Sequence, residues 1–110
     1  LMSQERFDDA LAAFREVLAR QPDNLDALGG TADSLLALQR WPEAITTYEH
    51  YLTLNPGNTA ARFNLGLALF EVDRFADSAA AFQAVLAQDP SNVGDYVTLA
   101  NAVGSLGRYG

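Results

Sequence analysis

The chain has 110 residues, of which 49% are hydrophobic and 19% charged, so it can bury an apolar core and is not disordered by composition. Its net charge is −7 and it contains no lysine, which argues against binding to nucleic acid or to an anionic membrane surface. It has no cysteine, which excludes disulfides and cysteine metal sites, and no apolar run approaches the roughly 20 residues of a membrane-spanning helix.

In chain order, the first prediction is the end of one helix at Leu1–Ser3, followed by a turn over Gln4–Arg6. A helix is then expected over Phe7–Arg20, because apolar side chains recur there at helical spacing. Pro22 cannot continue a helix, so residues Gln21–Asn24 are expected to end it.

The middle of the chain predicts two pairs of helices. They span Leu25–Gln39, Glu43–Leu54, Ala60–Val72 and Ala76–Ala87. Pro42 stands where a missing backbone N–H is harmless, and Asn58 is placed to cap the helix after it. A last helix is expected from Val93 to about Leu106, and the chain then stops within a turn.

Glycines within these predicted helices indicate close packing. Gly29 and Gly30 each cost roughly 1 kcal/mol in a helix interior, so contacts with neighbouring helices are expected to hold that segment. Gly66 is expected to let a neighbouring helix approach closely, because it has no side chain.

Landmark residues recur every 34 positions. They include Pro22, Pro56 and Pro90; Asn24, Asn58 and Asn92; Phe14, Tyr48 and Phe82; and Phe7, Trp41, Phe75 and Tyr109. The chain is therefore an array of one repeated two-helix unit. The units are a partial repeat at 1–24, repeats at 25–58 and 59–92, and a partial repeat at 93–110. We expect either further repeats on both sides in the parent protein or disordered flanks.

This pattern resembles the tetratricopeptide repeat (TPR) family, whose unit has 34 residues. The best copy carries Leu65, Gly66, Leu69, Phe75, Ser78, Phe82 and Pro90. Ser78 departs mildly from the alanines at Ala10 and Ala44. The resemblance implies an all-α fold, a TPR-type α-solenoid of stacked antiparallel hairpins that form a right-handed superhelix. With A and B as the first and second helices of a unit, the order is B-AB-AB-A.

In such a stack the first helices line the concave groove. Phe63, Leu67 and Phe70, spaced i, i+4, i+7, would form an apolar stripe there, or else merely pack against adjacent first helices. The candidate peptide-binding residues are Asp26, Asp33, Leu36, Phe63, Asn64, Leu67, Phe70, Val97 and Asn101. The asparagines would bond peptide backbone, and the two aspartates would attract a basic residue.

One subset of the family grips a C-terminal carboxylate of heat-shock chaperones with lysines, an arginine and asparagines. Asn64 and Asn101 fit two of the asparagine places. Groove places where basic residues would be expected instead hold residues such as Asp26, Ala60 and Phe63. Since the carboxylate would have no counter-charge, that mechanism is not expected.

Little in the chain predicts catalysis. His50 is the only histidine and is expected at the exposed surface, while Asp8-Asp9 and Asp73…Asp77 are acids at helix starts that favour the helix dipole. We expect no catalytic residue, metal or cofactor, and therefore a non-catalytic module that binds a protein or peptide partner. The alternatives are head-to-tail self-association through uncapped ends, and the TPR arm of a larger enzyme such as a glycosyltransferase. A soluble protein is expected, with the cytoplasm slightly favoured.

Overall fold

The computed structural model of the protein describes residues 2–90, 97–98, 100–101 and 104, and every regular element among them is helical. Over residues 2–90 the helices are α1 Met2–Arg20, α2 Leu25–Ala37, α3 Trp41–Leu54, α4 Thr59–Glu71 and α5 Phe75–Gln88. The four predicted helices in the middle of the chain are thus confirmed to within two residues at each end. Of the predicted helix Val93–Leu106, residues 97, 98, 100, 101 and 104 are helical, and the rest lies outside the described residues.

The beginning of the chain differs from the prediction. The predicted turn over Gln4–Arg6 is wrong, because α1 continues through it without interruption. The corresponding turns later in the chain each contain a residue with positive φ, Gln39 at 61° and Asp73 at 63°. Glu5 occupies the equivalent place. Here the chain stays helical, which avoids the cost of a left-handed backbone.

The turns after α2 and α4 have the same geometry. The Arg40 N–H donates to the Leu35 carbonyl at 2.9 Å, and the Gln39 N–H donates to the Leu36 carbonyl at 3.0 Å. The same pair of bonds recurs 34 residues later. These bonds satisfy carbonyls that would otherwise be unpaired at the end of the helix, and the left-handed residue reverses the chain direction.

Asparagine side chains begin both first helices. Asn24 Oδ1 accepts from the Ala27 N–H at 2.9 Å, and Asn58 Oδ1 accepts from the Ala61 N–H at 3.0 Å. The predicted cap at Asn58 is confirmed. Each bond satisfies one backbone donor that has no partner within the helix.

The core forms between consecutive helices. Each helix from α1 to α5 packs on the next, and α2 also contacts α4, so the first helices share one face of the stack. The described helices give the predicted solenoid in the order B-AB-AB. Among the described residues, the largest side chains that are fully buried are those of Tyr48, Phe82 and Leu35.

Close helix approach depends on Gly30 and Gly66, as the sequence predicts. A Cβ added at Gly30 would overlap the ring of Phe14, and one added at Gly66 would lie 2.7 Å from the ring of Phe82. Buried Ser78 donates a 2.8 Å hydrogen bond to the Gly66 carbonyl. The alanines of the other repeats lack this hydroxyl, and in Ser78 it links α5 to α4.

Candidate peptide-binding groove

An apolar stripe on α4 packs in part against the following helix, α5. Its members Phe63, Leu67 and Phe70 are each partly buried and pack against a core cluster around Phe82. The ring centroids of Phe63 and Phe82 are 5.3 Å apart with a 56° tilt, and those of Phe70 and Phe75 are 5.2 Å apart at 66°. These geometries are favourable for aromatic pairs. Contacts with α5 thus hold both rings while part of each remains accessible.

A hydrogen-bonded group of side chains joins three helices beside this stripe. The hydroxyl of Tyr48 on α3 donates to Asp33 Oδ1 on α2 at 2.5 Å. The side chain of Asn64 on α4 lies close enough to the same hydroxyl to influence its pKa. Burial raises the pKa of the Tyr48 phenol well above its usual value, and the hydrogen bond to Asp33 and its negative charge raise it further, whereas Asn64 opposes the shift.

The sequence marks Tyr48 only as a landmark that recurs with Phe14 and Phe82, and it does not predict the position of its hydroxyl beside the groove. A signal existed, because the equivalent positions hold Phe14 and Phe82, which have no hydroxyl. A buried hydroxyl needs a hydrogen-bond partner. A lone tyrosine among phenylalanines at a core position therefore indicates a polar group on a neighbouring helix.

The other predicted groove residues have different surroundings. Asp26 is exposed in the first turn of α2, where an acidic group is favoured by the helix dipole. Leu36 is partly buried and packs on the larger core cluster. Val97 is 59% exposed, and Asn101 is also exposed. The structure thus brings Asp33 and Asn64 together through Tyr48 and places the apolar stripe on the same helix as Asn64.

The chemistry available elsewhere in the described part of the chain is limited. His50 is exposed, as predicted, and its Nε2 lies 2.9 Å from Asp23 Oδ1. Among the residues that the structure describes, no three histidine, aspartate or glutamate side chains are grouped as metal ligands would be. In that same part of the chain, no helix has the length and apolar character required to cross a bilayer.

Comparison with protein families identifies the repeat. The family model of the tetratricopeptide repeat matches residues 1–59 and, in a second placement, residues 31–93. The two matches together cover most of the chain. A search of curated protein sequences gives no significant match.

Solved structures of similar fold include MamA and the first TPR domain of human RPAP3. A crystal structure of MamA has a TM-score of 0.89 at 24% identity, over 96% of this chain and 62% of that chain. The RPAP3 domain, solved by NMR, has a TM-score of 0.83 at 20% identity, over 97% of this chain and 84% of that one. A third structure, the first TPR of Spaghetti (RPAP3) bound to the HSP90 peptide SRMEEVD, has a TM-score of 0.86 at 20% identity over 96% of this chain and 84% of that one. The chain spans about three-fifths of the length of MamA.

Proposed function

The chain belongs to the tetratricopeptide repeat family, and we propose that it is a protein–protein interaction module that binds a peptide or helix on the face shared by α2 and α4. The observation that carries this proposal is the partly exposed stripe of Phe63, Leu67 and Phe70. Large apolar side chains on a groove-forming helix are the anchors that helix-in-groove and peptide recognition require. Binding, and not catalysis, is the activity that these residues support.

The stripe is well suited to anchor a partner because its rings are already ordered. Phe82 and Phe75 on α5 each contact one of the two stripe phenylalanines. Side chains that are fixed before binding lose little conformational entropy when a partner arrives. Covering the remaining exposed area of Phe63 and Phe70 then gives a hydrophobic gain with little ordering cost.

Polar groups beside the stripe favour a partner with a basic residue. Asp33 uses one carboxylate oxygen for the bond to Tyr48, so the other oxygen can still accept from a cation. Asp26 adds a second negative charge on α2. The RPAP3 structure that holds the peptide SRMEEVD shows this fold with an acidic ligand. Because the present chain has no lysine, we propose that it prefers peptides with apolar anchors and arginine or lysine.

A fluorescence-polarisation experiment with three labelled peptides tests the proposal. The first peptide is an amphipathic helix with leucines at i, i+4 and i+7 and one arginine, the second has glutamate in place of that arginine, and the third is SRMEEVD. We expect the arginine peptide to bind most tightly. The double variant Phe63→Ala/Phe70→Ala should weaken it by about tenfold or more, since truncating a hot-spot anchor costs roughly 2 kcal/mol.

Phe7→Ala is the matched control, because Phe7 is a phenylalanine that is 38% exposed on α1, outside the stripe. It should leave peptide affinity unchanged, and circular dichroism should show that all variants keep their helicity. Equal affinity of the wild type and the Phe63→Ala/Phe70→Ala variant would remove the stripe as the binding site. Tighter binding of SRMEEVD than of the arginine peptide would contradict the proposed charge preference.

Exposed apolar side chains on α1 favour self-association as a second candidate function. Phe7 is 38% exposed and Val17 is 39% exposed. Head-to-tail contact with another copy would cover them, as neighbouring repeats cover each other in a solenoid. Sedimentation over a range of concentrations tests this: association that is abolished by Phe7→Ser/Val17→Ser supports it, and a monomer at all concentrations contradicts it.

A further inference from the structure

A polar group of three side chains lies where α2, α3 and α4 meet. Its members are Asp33, Tyr48 and Asn64. One repeat later, the same places hold Leu67, Phe82 and Thr98. Leu67 and Phe82 pack together in an apolar cluster, so a hairpin of this fold forms without the polar group. The group is therefore specific to this part of the chain and is not a general requirement of stacking hairpins.

Asp33 is an exposed carboxylate that the interior of the fold holds in place. Its Oδ1 accepts a 2.5 Å hydrogen bond from the hydroxyl of Tyr48, which is only 1% exposed. The ion pairs within the described part of the chain all involve other carboxylates. Oδ2 of Asp33 can therefore accept from a ligand. Because the carboxylate is already oriented, it loses little conformational entropy when a cation binds.

Asn64 supplies a second acceptor at the same place. Burial raises the pKa of the Tyr48 phenol, whereas the partly buried side chain of Asn64 lowers it. A lowering is the direction expected when an amide N–H points at the phenol oxygen. The carbonyl oxygen of the same carboxamide is then turned away from the phenol and can accept from a ligand. A carboxylate oxygen and an amide oxygen side by side suit a cation that carries several N–H donors.

The surface of α2 next to Asp33 leaves room for a long side chain. Gly29 is partly exposed and lies one turn before Asp33 on the same face of the helix. Among the described residues, a Cβ added at Gly29 would meet only the ring of Tyr51, at 3.3 Å. Exposed Asp26 is two turns before Asp33, about 10 Å away along the helix, and adds negative potential over this opening.

We propose that Asp33 and Asn64 form an arginine-specific subsite of the peptide-binding groove, an inference that rests on the function proposed above. The arginine of the partner lies along Gly29, and its guanidinium donates one N–H to Asp33 Oδ2 and another to Asn64 Oδ1. Arginine is preferred to lysine because its donors form a rigid fork and its charge is weakly hydrated, whereas an ammonium group is strongly hydrated. Methylation of the guanidinium keeps the charge and blocks the paired hydrogen bonds, so it weakens binding.

Four versions of the amphipathic leucine peptide test the subsite. They carry arginine, symmetrically dimethylated arginine, lysine or glutamine at the one charged position, and fluorescence polarisation measures their affinities. We expect the arginine peptide to bind most tightly. The lysine and dimethylarginine peptides should bind about threefold more weakly and the glutamine peptide about tenfold more weakly, because charge-assisted paired hydrogen bonds are lost in part or in full at a partly exposed site.

Three variants assign this preference to named side chains. Asp33→Asn keeps an oxygen for Tyr48 but removes the charge, so it should weaken the arginine peptide about fivefold and leave the glutamine peptide unchanged. Asn64→Leu removes the second acceptor and should abolish the preference for arginine over lysine. Asp26→Asn is the matched control for charge. It makes the same change about 10 Å from Asp33 and should weaken the arginine peptide less than about twofold.

An arginine peptide that binds no better than the glutamine peptide would overturn the proposal, as would equal losses in Asp33→Asn and Asp26→Asn. Circular dichroism checks that each variant keeps its helicity. If arginine gives no advantage while Phe63→Ala/Phe70→Ala weakens all four peptides, the subsite is lost and the apolar stripe stands. If that double variant has no effect while Asp33→Asn weakens only the charged peptides, the stripe is lost and the subsite stands. If none of the four peptides binds, both proposals are lost.

Discussion

The buried hydroxyl of Tyr48 donates a 2.5 Å hydrogen bond to Oδ1 of Asp33, which is itself exposed on the neighbouring helix. The bond joins the interior of the stack to the surface that we propose for peptide binding. Phe14 and Phe82 occupy the same position in the adjacent units and pack without a hydroxyl. The ring is therefore required for packing at this position, and the hydroxyl is an addition that belongs to this repeat.

Tyr48→Phe is expected to lower the free energy of unfolding by about 1 kcal/mol. The ring still fills its site, as the phenylalanines of the other units do, so the loss is that of one hydrogen bond. Urea denaturation gives the measurement. In a double-mutant cycle with Asp33→Ala, the coupling free energy should account for most of that loss. A coupling near zero would show that the bond does not stabilise the fold.

Alkaline pH should destabilise the protein through the same phenol. The folded-state pKa of Tyr48 is raised above the ordinary value of 10.0, so the folded chain keeps a proton that the unfolded chain releases. The stabilising contribution is therefore complete below pH 10 and decreases as pH rises above it, by no more than about 1.4 kcal/mol per pH unit. Urea denaturation between pH 9 and pH 11 should show a steeper loss in the wild type than in Tyr48→Phe. Parallel curves would contradict this assignment.

Gly30→Ala is expected to lower the free energy of unfolding by up to about 2 kcal/mol, although alanine is the better helix former. The new Cβ would overlap the ring of Phe14, and relieving such overlap costs typically about 1–3 kcal/mol, more than the roughly 1 kcal/mol gained in helix propensity. Gly57→Ala is the matched control, because a Cβ there meets no atom within 4 Å and its φ is not positive. Thermal denaturation should show a fall in melting temperature for the first variant only.

Ser78→Ala is expected to cost about 1 kcal/mol, the usual net contribution of one hydrogen bond. The hydroxyl bonds the Gly66 carbonyl across the α4–α5 hairpin, and Ala44 shows that an alanine packs well at this position. Ala44→Ser in the preceding hairpin is the reciprocal variant. Because position 44 is also fully buried, the hydroxyl of the introduced serine will stabilise that hairpin only if it donates a hydrogen bond to an equivalent carbonyl. Urea denaturation of both variants measures the two effects, and no loss in Ser78→Ala would contradict the assigned bond.

Much of the fold follows from the sequence because its signals repeat. Apolar spacing, proline and asparagine at 34-residue intervals locate α2 to α5 and the Asn58 cap. Packing inferred from Gly30 and Gly66 is also correct, since a glycine inside a helix needs a close neighbour to compensate its poor propensity. These inferences succeed because local pattern and tertiary packing impose the same requirement.

The remainder depends on contacts that have no local signature. Residue spacing indicates that Tyr48 is buried, but it does not indicate that its hydroxyl reaches Asp33 and Asn64 on two other helices. Alignment of the repeats predicts a turn at Glu5, but the residue lies within α1. The alignment shows which conformation the equivalent residues adopt in the other units, and it does not determine the backbone conformation at Glu5.

In the part of the chain that the structure describes, two non-glycine residues, Gln39 and Asp73, have positive φ. Gln39, at φ 61°, ends α2 in the left-handed region, where an L-residue other than glycine costs roughly 1–2 kcal/mol. Gln39→Gly removes that strain but gives more freedom to the unfolded chain, which offsets up to about 1 kcal/mol. We expect a net stabilisation of about 0.5–1 kcal/mol, measured by urea denaturation, with Gln39→Ala near neutral because alanine bears the same strain. At Asp73 the gain should be smaller, since a short polar side chain tolerates this conformation better. A larger gain at Asp73 than at Gln39 would show that backbone strain does not set the stability of these turns.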